Sequence, residues 1–173
     1  MWADGRKYPN SVKPQTVKPH PQTTPPSNKK NMDFDPENKV IQLCAQGMGL
    51  EFEGKTEDAR LLFLQAWDAS TNDFEKFTSA HYVARHQSTI ENKLKWDETA
   101  LAFALKIKDD KMKAHYPSLY LNIAKCYEDL HNFDAARKHY QSASVYLEFL
   151  PDDGYGKMIK SGIANGMARV SAT

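Results

Sequence analysis

The chain has 173 residues, with 23 Lys+Arg against 22 Asp+Glu for a net charge of +1, a balance that excludes a bulk polyelectrolyte partner and suits one domain with an extension. Its two cysteines, Cys44 and Cys126, exclude a disulfide framework and read as reduced core thiols. No run approaches the roughly 18 apolar residues of a membrane span, and no N-terminal apolar stretch could serve as a secretory signal. The cytoplasm is therefore the expected compartment, with no membrane partner.

Residues 1–31 hold six of the nine prolines, six basic residues (Arg6, Lys7, Lys13, Lys18, Lys29 and Lys30) and one acid, Asp4. This segment is thus +5, leaving −4 of the net +1 for the rest. A stretch so poor in aliphatic side chains cannot bury enough surface to offset its ordering entropy. Residues 1–34 are expected to be a disordered, basic, Pro-rich tail, and residues 35–173 the folded domain. Nucleic-acid binding is expected only through that tail. No two of its prolines stand three apart, so no PxxP ligand is implied.

From Asp35 onward the pattern is helical, without alternating Val/Ile/Thr runs. Breaks at Gly54, Thr71 to Asp73, Asn92 to Lys95, Asp109-Asp110, His131-Asn132 and Pro151 to Gly154 predict helices over 37–53, 56–70, 73–91, 96–108, 113–130, 133–149 and 154–170. Pro117 falls near the start of the fifth, where its missing N–H costs little. Asp152 or Asp153 can cap the seventh.

An internal period runs through these helices. Gly54 is followed by Ala59, Phe63 and Ala66, and His131 by Ala136, Tyr140 and Ala143, at the same offsets of five, four and three. Helices joined by a tight turn approach closely only where side chains are small, and bulky residues one turn away fill the flanking holes. Ala59 and Ala136 are the expected close-approach positions, with Phe63 and Tyr140 as knobs. The middle stretch LKWDETALAFALK is looser. It offers Trp96 with Thr99 and Phe103, or Ala100 and Ala104 in the next register.

This pattern resembles the tetratricopeptide repeat (TPR). Residues 113–148 carry Tyr120, Ala124, Tyr127, Phe133, Ala136, Tyr140 and Ala143 at the family's places, and Gly47, Gly54, Ala59, Phe63 and Ala66 match in the first unit. The resemblance covers about residues 37–150. With Thr99 as the middle match, the unit spacing is 40 and then 37 residues (59 to 99 to 136), against a usual period of about 34. It implies an all-α solenoid of three helix pairs with the last helix, 154–170, as a terminal cap.

In this family the first helix of each pair lines a concave groove that receives a peptide or protein segment. Carried over, the first unit offers Met48 and Phe52 beside Ile41, Cys44, Ala45 and Glu51. The second offers His81 and Arg85 beside Ala84, Ser88 and Glu91, and the third Ser118, Asn122 and Lys125 beside Leu121 and Glu128. An asparagine at the place of Asn122 holds ligand backbone in the family, and Arg85 and Lys125 could grip a carboxylate. The bland alternative is a solvated face whose charges pair with Glu91 and Glu128. The first unit lacks the lysine and asparagine of the chaperone-tail clamp. The resemblance implies a non-enzymatic interaction module or scaffold, with self-association through an uncapped first helix as a further expectation.

The competing class is an RNA-modifying enzyme, since short bacterial look-alikes carry an rRNA adenine methyltransferase label. Such chemistry needs a strand, a Gly-rich turn and a helix to hold a nucleoside cofactor, and none is readable here. No cofactor is expected. No metal site is expected either: His81 and His86, five apart, lie about 140° apart on a helix, and His115, His131 and His139 have no ligand spacing. Cys126 sits among Ile123, Ala124 and Tyr127, the surroundings of a core thiol, not of a nucleophile. PDDGYGKM at 151–158 lacks the phosphate-loop spacing and reads as a helix cap, while Gly162 and Gly166 read as close packing.

Overall fold

In the computed structural model of the chain, residues 35–171 are described, so the expectations for the tail lie outside the described residues. Seven α-helices run in order: α1 Lys39–Phe52, α2 Thr56–Ala69, α3 Asp73–Ala84, α4 Ile90–Ala104, α5 Tyr116–Asp129, α6 Phe133–Ser144 and α7 Gly154–Ser171. Two short 3-10 turns, Asp110–Ala114 and Leu147–Phe149, precede α5 and follow α6. No strand occurs among the described residues. The helices pack as consecutive neighbours, α1 with α2, α3 with α4 and α5 with α6, and α7 lies on α6 and α5 as α3 lies on α2 and α1. Among the described residues no helix is long and apolar enough to cross a membrane.

The first and third pairs turn on the same backbone device. Gly54 (φ 76°) and His131 (φ 58°) both adopt the left-handed conformation just past α1 and α5. Lys55 N–H then reaches back to Leu50 O at 2.9 Å and Asn132 N–H to Tyr127 O at 2.9 Å, satisfying carbonyls the helix would leave bare. Glycine takes this conformation freely, whereas His131 carries a steric penalty.

The middle pair departs from expectation. α3 stops at Ala84 instead of 91, and α4 starts at Ile90 instead of 96. Thr89 is the reason: its side chain accepts a hydrogen bond from Asn92 N–H at 3.2 Å and caps α4 early. The stretch Asn92 to Lys95 therefore lies within α4's opening turns and is not a break: Asn92 and Lys95 are exposed, while Leu94 packs on the core. α6 also ends early, at Ser144, and hands over to the 3-10 turn Leu147–Phe149.

The close-approach positions sit where the spacing puts them. Ala59, Phe63, Ala66, Ala136, Tyr140 and Ala143 are all fully buried. In α4 the residues at the same mutual offsets, four and then three, are Asp97, Leu101 and Ala104, all buried, whereas Thr99 is only half-buried and spends its hydroxyl on Lys95 O at 2.7 Å. Thr99 is thereby corrected as a close-approach position, whereas Ala100 and Ala104 of the alternative are both fully buried; at mutual offsets of four and three the spacing is 38 and 39 residues (59 to 97 to 136), with a carboxylate at 97 where 59 and 136 are alanine.

Against the knobs Phe63 and Tyr140, the neighbouring helix presents a glycine. A Cβ on Gly47 would come within 2.4 Å of the Phe63 ring, and one on Gly166 within 2.1 Å of the Tyr140 ring. α7 is further fixed by Glu128, which accepts from Tyr140 Oη at 2.6 Å and from Arg169 Nε at 2.6 Å. The Arg169 guanidinium holds the Glu128 carboxyl down to about 2.

Two glycines on one helix separate packing from propensity. Gly49 has open space around a would-be Cβ, so Gly49→Ala is expected to stabilise by about 1 kcal/mol through helix propensity. Gly47→Ala is expected to destabilise by about 1–3 kcal/mol, because the Phe63 ring must move. Urea unfolding of the two variants checks this; equal shifts would mean that Gly47 is not a close-approach position.

Candidate binding cleft

The backbones of α3 and α5, the first helices of adjacent pairs, stand farther apart than those of α1 and α3 or of α5 and α7, although Phe77 and Ala80 of α3 share a buried cluster with Tyr116, Leu119 and Ile123 of α5. Between them opens a cleft of about 290 Å³. Positions 78, 81, 82 and 85 fall on one face of α3 by helical spacing, and with Phe77 they form one wall. His115, Ser118 and Leu119 form the other, and Tyr155 reaches in from the first turn of α7.

The walls are largely aromatic. Tyr82 is held from behind by stacking on Phe63, with ring centroids 5.1 Å apart, and the Phe77 and His115 rings meet edge-on at 5.4 Å. Among the described residues, no Asp or Glu lines the cleft. Arg85 contributes its positive charge at the rim, where its Nη2 lies 3.0 Å from Glu51 Oε2 of α1. Burial, then the positive charge of Arg85 and Lys93, pushes the His81 imidazole down to about 4, so it is neutral at physiological pH. Burial lowers His115 as well.

Two polar atoms in these walls lack partners. Thr78, only 4% exposed, leaves Oγ1 without a hydrogen bond, and His81 leaves Nδ1 without one. The contrast with other helical hydroxyls is direct. Ser70, Ser79, Thr99 and Ser144 each donate to the carbonyl four residues back, at 2.7–2.9 Å. Ser118 donates to His115 O at 3.0 Å. Thr78 makes no such bond.

Of the residues singled out from the sequence, the structure brings His81, Arg85 and Ser118 together in this cleft. Met48 and Phe52 lie apart on α1, with Phe52 96% exposed. Asn122 turns its amide toward Asp97 Oδ1 at 3.4 Å. Lys125 pairs with Asp129 and stands 3.8 Å from Glu128. The partner of Arg85 is Glu51, not Glu91. Cys44 is buried in the core and its thiol is pushed up to about 12 by burial; that of Cys126 is pushed up to about 11. Neither has the depressed pKa of a nucleophile.

Sequence reasoning missed Phe77, Thr78, Tyr82, His115, Leu119 and Tyr155. The α3 members were within reach, since Thr78 and Tyr82 stand seven and three residues before Arg85 in a helical stripe with His81. Tyr155 carried no such signal, because its place depends on how α7 lies across α5. Among the described residues, no group of three or more His, Cys, Asp or Glu side chains could hold a metal ion.

Beside the cleft, Asp97 is fully buried, 2.5 Å from Lys93 Nζ and 3.7 Å from Cys126 Sγ. Burial raises its carboxyl pKa despite the pull of Lys93, Asn122 and Cys126. The native state therefore holds this proton more tightly than the unfolded chain, and the stability Asp97 contributes falls as pH rises from about 4, the ordinary aspartate value, through its raised native value. Asp97→Asn is expected to remove that decline and to be at least as stable as the parent at pH 7. Lys93, with a third of its side chain exposed, can turn its charge to water. Urea midpoints of both proteins between pH 4 and 8 check this; a variant weaker by the same amount at every pH would refute it.

No family model, no curated protein and no solved structure matches this chain.

Proposed function

We propose that the chain is a non-enzymatic recognition module, a TPR-like stack of three helix pairs capped by α7, which docks a peptide or protein segment across the face formed by α1, α3 and α5. The observation that carries this reading is the cleft between α3 and α5, which gathers His81, Arg85 and Ser118 from the first helices of two consecutive pairs. The packing supports it: small, fully buried residues at 59, 66, 104, 136 and 143 let neighbouring helices nest closely.

In this reading a segment lies along the face, held by apolar contact at Met48 and Phe52 and by polar contact at Arg85, Asn122 and Lys125. Phe52, almost wholly exposed, is a ready apolar foothold. Arg85 and Lys125 keep long, half-exposed side chains that can exchange their present carboxylates for one on a ligand. A ligand carboxylate would have to displace Glu51 and Asp129, so acidic segments are the expected partners.

The test is selection of displayed peptides on the full-length chain, followed by affinity measurement with the double variant Arg85→Glu/Lys125→Glu. The expected outcome is a set of acidic peptides that bind the parent and lose at least about tenfold in affinity with the variant, whose helical circular dichroism is unchanged. Failure to enrich any peptide, or equal affinity for both proteins, would remove the reading.

A further inference from the structure

We infer that the cleft between α3 and α5 takes a tyrosine side chain of the docked segment, its hydroxyl meeting Thr78 and His81 and an acidic neighbour in the segment meeting Arg85. The inference rests on the segment-docking reading and names the chemistry of its anchor.

Size limits the occupant. About 290 Å³ is at the small end of ligand pockets, room for one ring and not for an extended multi-ring molecule. The walls Phe77, Tyr82, Leu119 and Tyr155 offer ring edges and faces to an aromatic occupant. A lysine or arginine side chain is excluded by charge, since no acid lines the cleft and Arg85 stands at its rim.

Polarity then separates tyrosine from phenylalanine. Thr78 Oγ1 and His81 Nδ1 are buried without partners, in two side chains that line the same cleft. Both atoms are already out of reach of water in the free chain, and a purely hydrocarbon occupant would leave them unsatisfied, whereas a hydroxyl can pair with them. A threonine hydroxyl and a neutral imidazole can each donate or accept according to rotamer and tautomer, and a phenol can do both at once. Thr78 forms no bond to its own helix, so its hydroxyl is free to turn to a ligand, unlike the hydroxyl of Ser79 beside it, which is tied to Glu75 O at 2.7 Å.

The acidic neighbour is implied by Arg85. Its Nη2 faces Glu51, and the planar guanidinium has further N–H donors for a second carboxylate. A tyrosine flanked by aspartate places a carboxylate within one residue of the buried ring, the reach from cleft to rim.

The experiment titrates four probes into the ¹⁵N-labelled full chain: acetyl-Ser-Asp-Tyr-Asp-Ser-amide, the same peptide with Phe for Tyr, the same with Asn for both Asp, and 4-hydroxyphenylacetate. The tyrosine peptide is expected to shift amide signals of Phe77 to Arg85 and His115 to Leu119, and to bind roughly fivefold more tightly than the phenylalanine peptide. Thr78→Val, which keeps the side-chain shape, should abolish that preference, and Arg85→Gln should make the Asp and Asn peptides equivalent. The comparison of tyrosine with phenylalanine peptide uses the unaltered protein, so it stands even if a variant misfolds. Equal binding of those two peptides with shifts at α3 and α5 would overturn the inference and leave segment docking intact; no binding by any peptide would overturn both. Binding of 4-hydroxyphenylacetate as tight as that of the tyrosine peptide would overturn the peptide source and assign the cleft to a small phenolic acid.

Discussion

The rest of this structure depends on one steric constraint: where α1 meets α2 and where α6 meets α7, a large aromatic side chain lies against a position with no side chain of its own. Phe63 fills the space left by Gly47, and Tyr140 that left by Gly166. Helices can then approach until backbone and ring are in van der Waals contact, which gives dispersion contact and apolar burial without voids. A helix pair of this kind cannot hide both its faces alone. Its second helix must be covered by the first helix of the next pair, and α7 supplies that cover at the end, pinned by Glu128 to Arg169 and Tyr140.

The middle of the body relaxes the constraint, and there the cleft opens. Between α2 and α3 the chain allows only residues 70–72, but between α4 and α5 it runs through 105–115 with a 3-10 turn. At the same junction Asp97 takes the place that alanine holds at 59 and 136, and it needs room for Lys93, Asn122 and Cys126 around it. α5 packs firmly on α4, and its Tyr116, Leu119 and Ile123 share a buried core with Phe77 and Ala80 of α3, while the backbones of α3 and α5 stay apart and leave a cleft between the two helices.

The chemistry of that cavity is set by the groups missing from its walls. With no carboxylate inside and two imidazoles kept neutral by burial, the cleft carries hydrogen-bonding capacity without ionic charge, and Arg85 alone gives it a sign at the rim. Such a site discriminates by shape and by hydroxyl complementarity first, and by charge only at its edge. In the free chain Lys125 pairs with Asp129 and Asn122 with Asp97, contacts that a docked segment has to displace.

Much of the architecture was legible because it is local. The 3.6-residue spacing of Ala59, Phe63 and Ala66, repeated at Ala136, Tyr140 and Ala143, dictates helices that present one close-packing stripe, and Gly54 marks a turn only a flexible backbone makes easily. The middle pair misled for an equally physical reason. Asn92 and Lys95 are polar because they face solvent, Lys93 because it meets Asp97, and polarity on a helix is indistinguishable in sequence from polarity in a loop; the decisive cap, Thr89, sits three residues before Asn92. An aspartate at 97 likewise did not read as a core position, since an ionisable residue there is tolerated only when Lys93, Asn122 and Cys126 come to meet it. Sequence by itself thus determined the all-α character, most helix ends and the small–large–small stripes, all set by near neighbours. Only the tertiary structure decided where the first helices part, which hydroxyls go unpaired and that Tyr155 joins α3 and α5, because each depends on the placement of residues more than thirty positions apart in the chain.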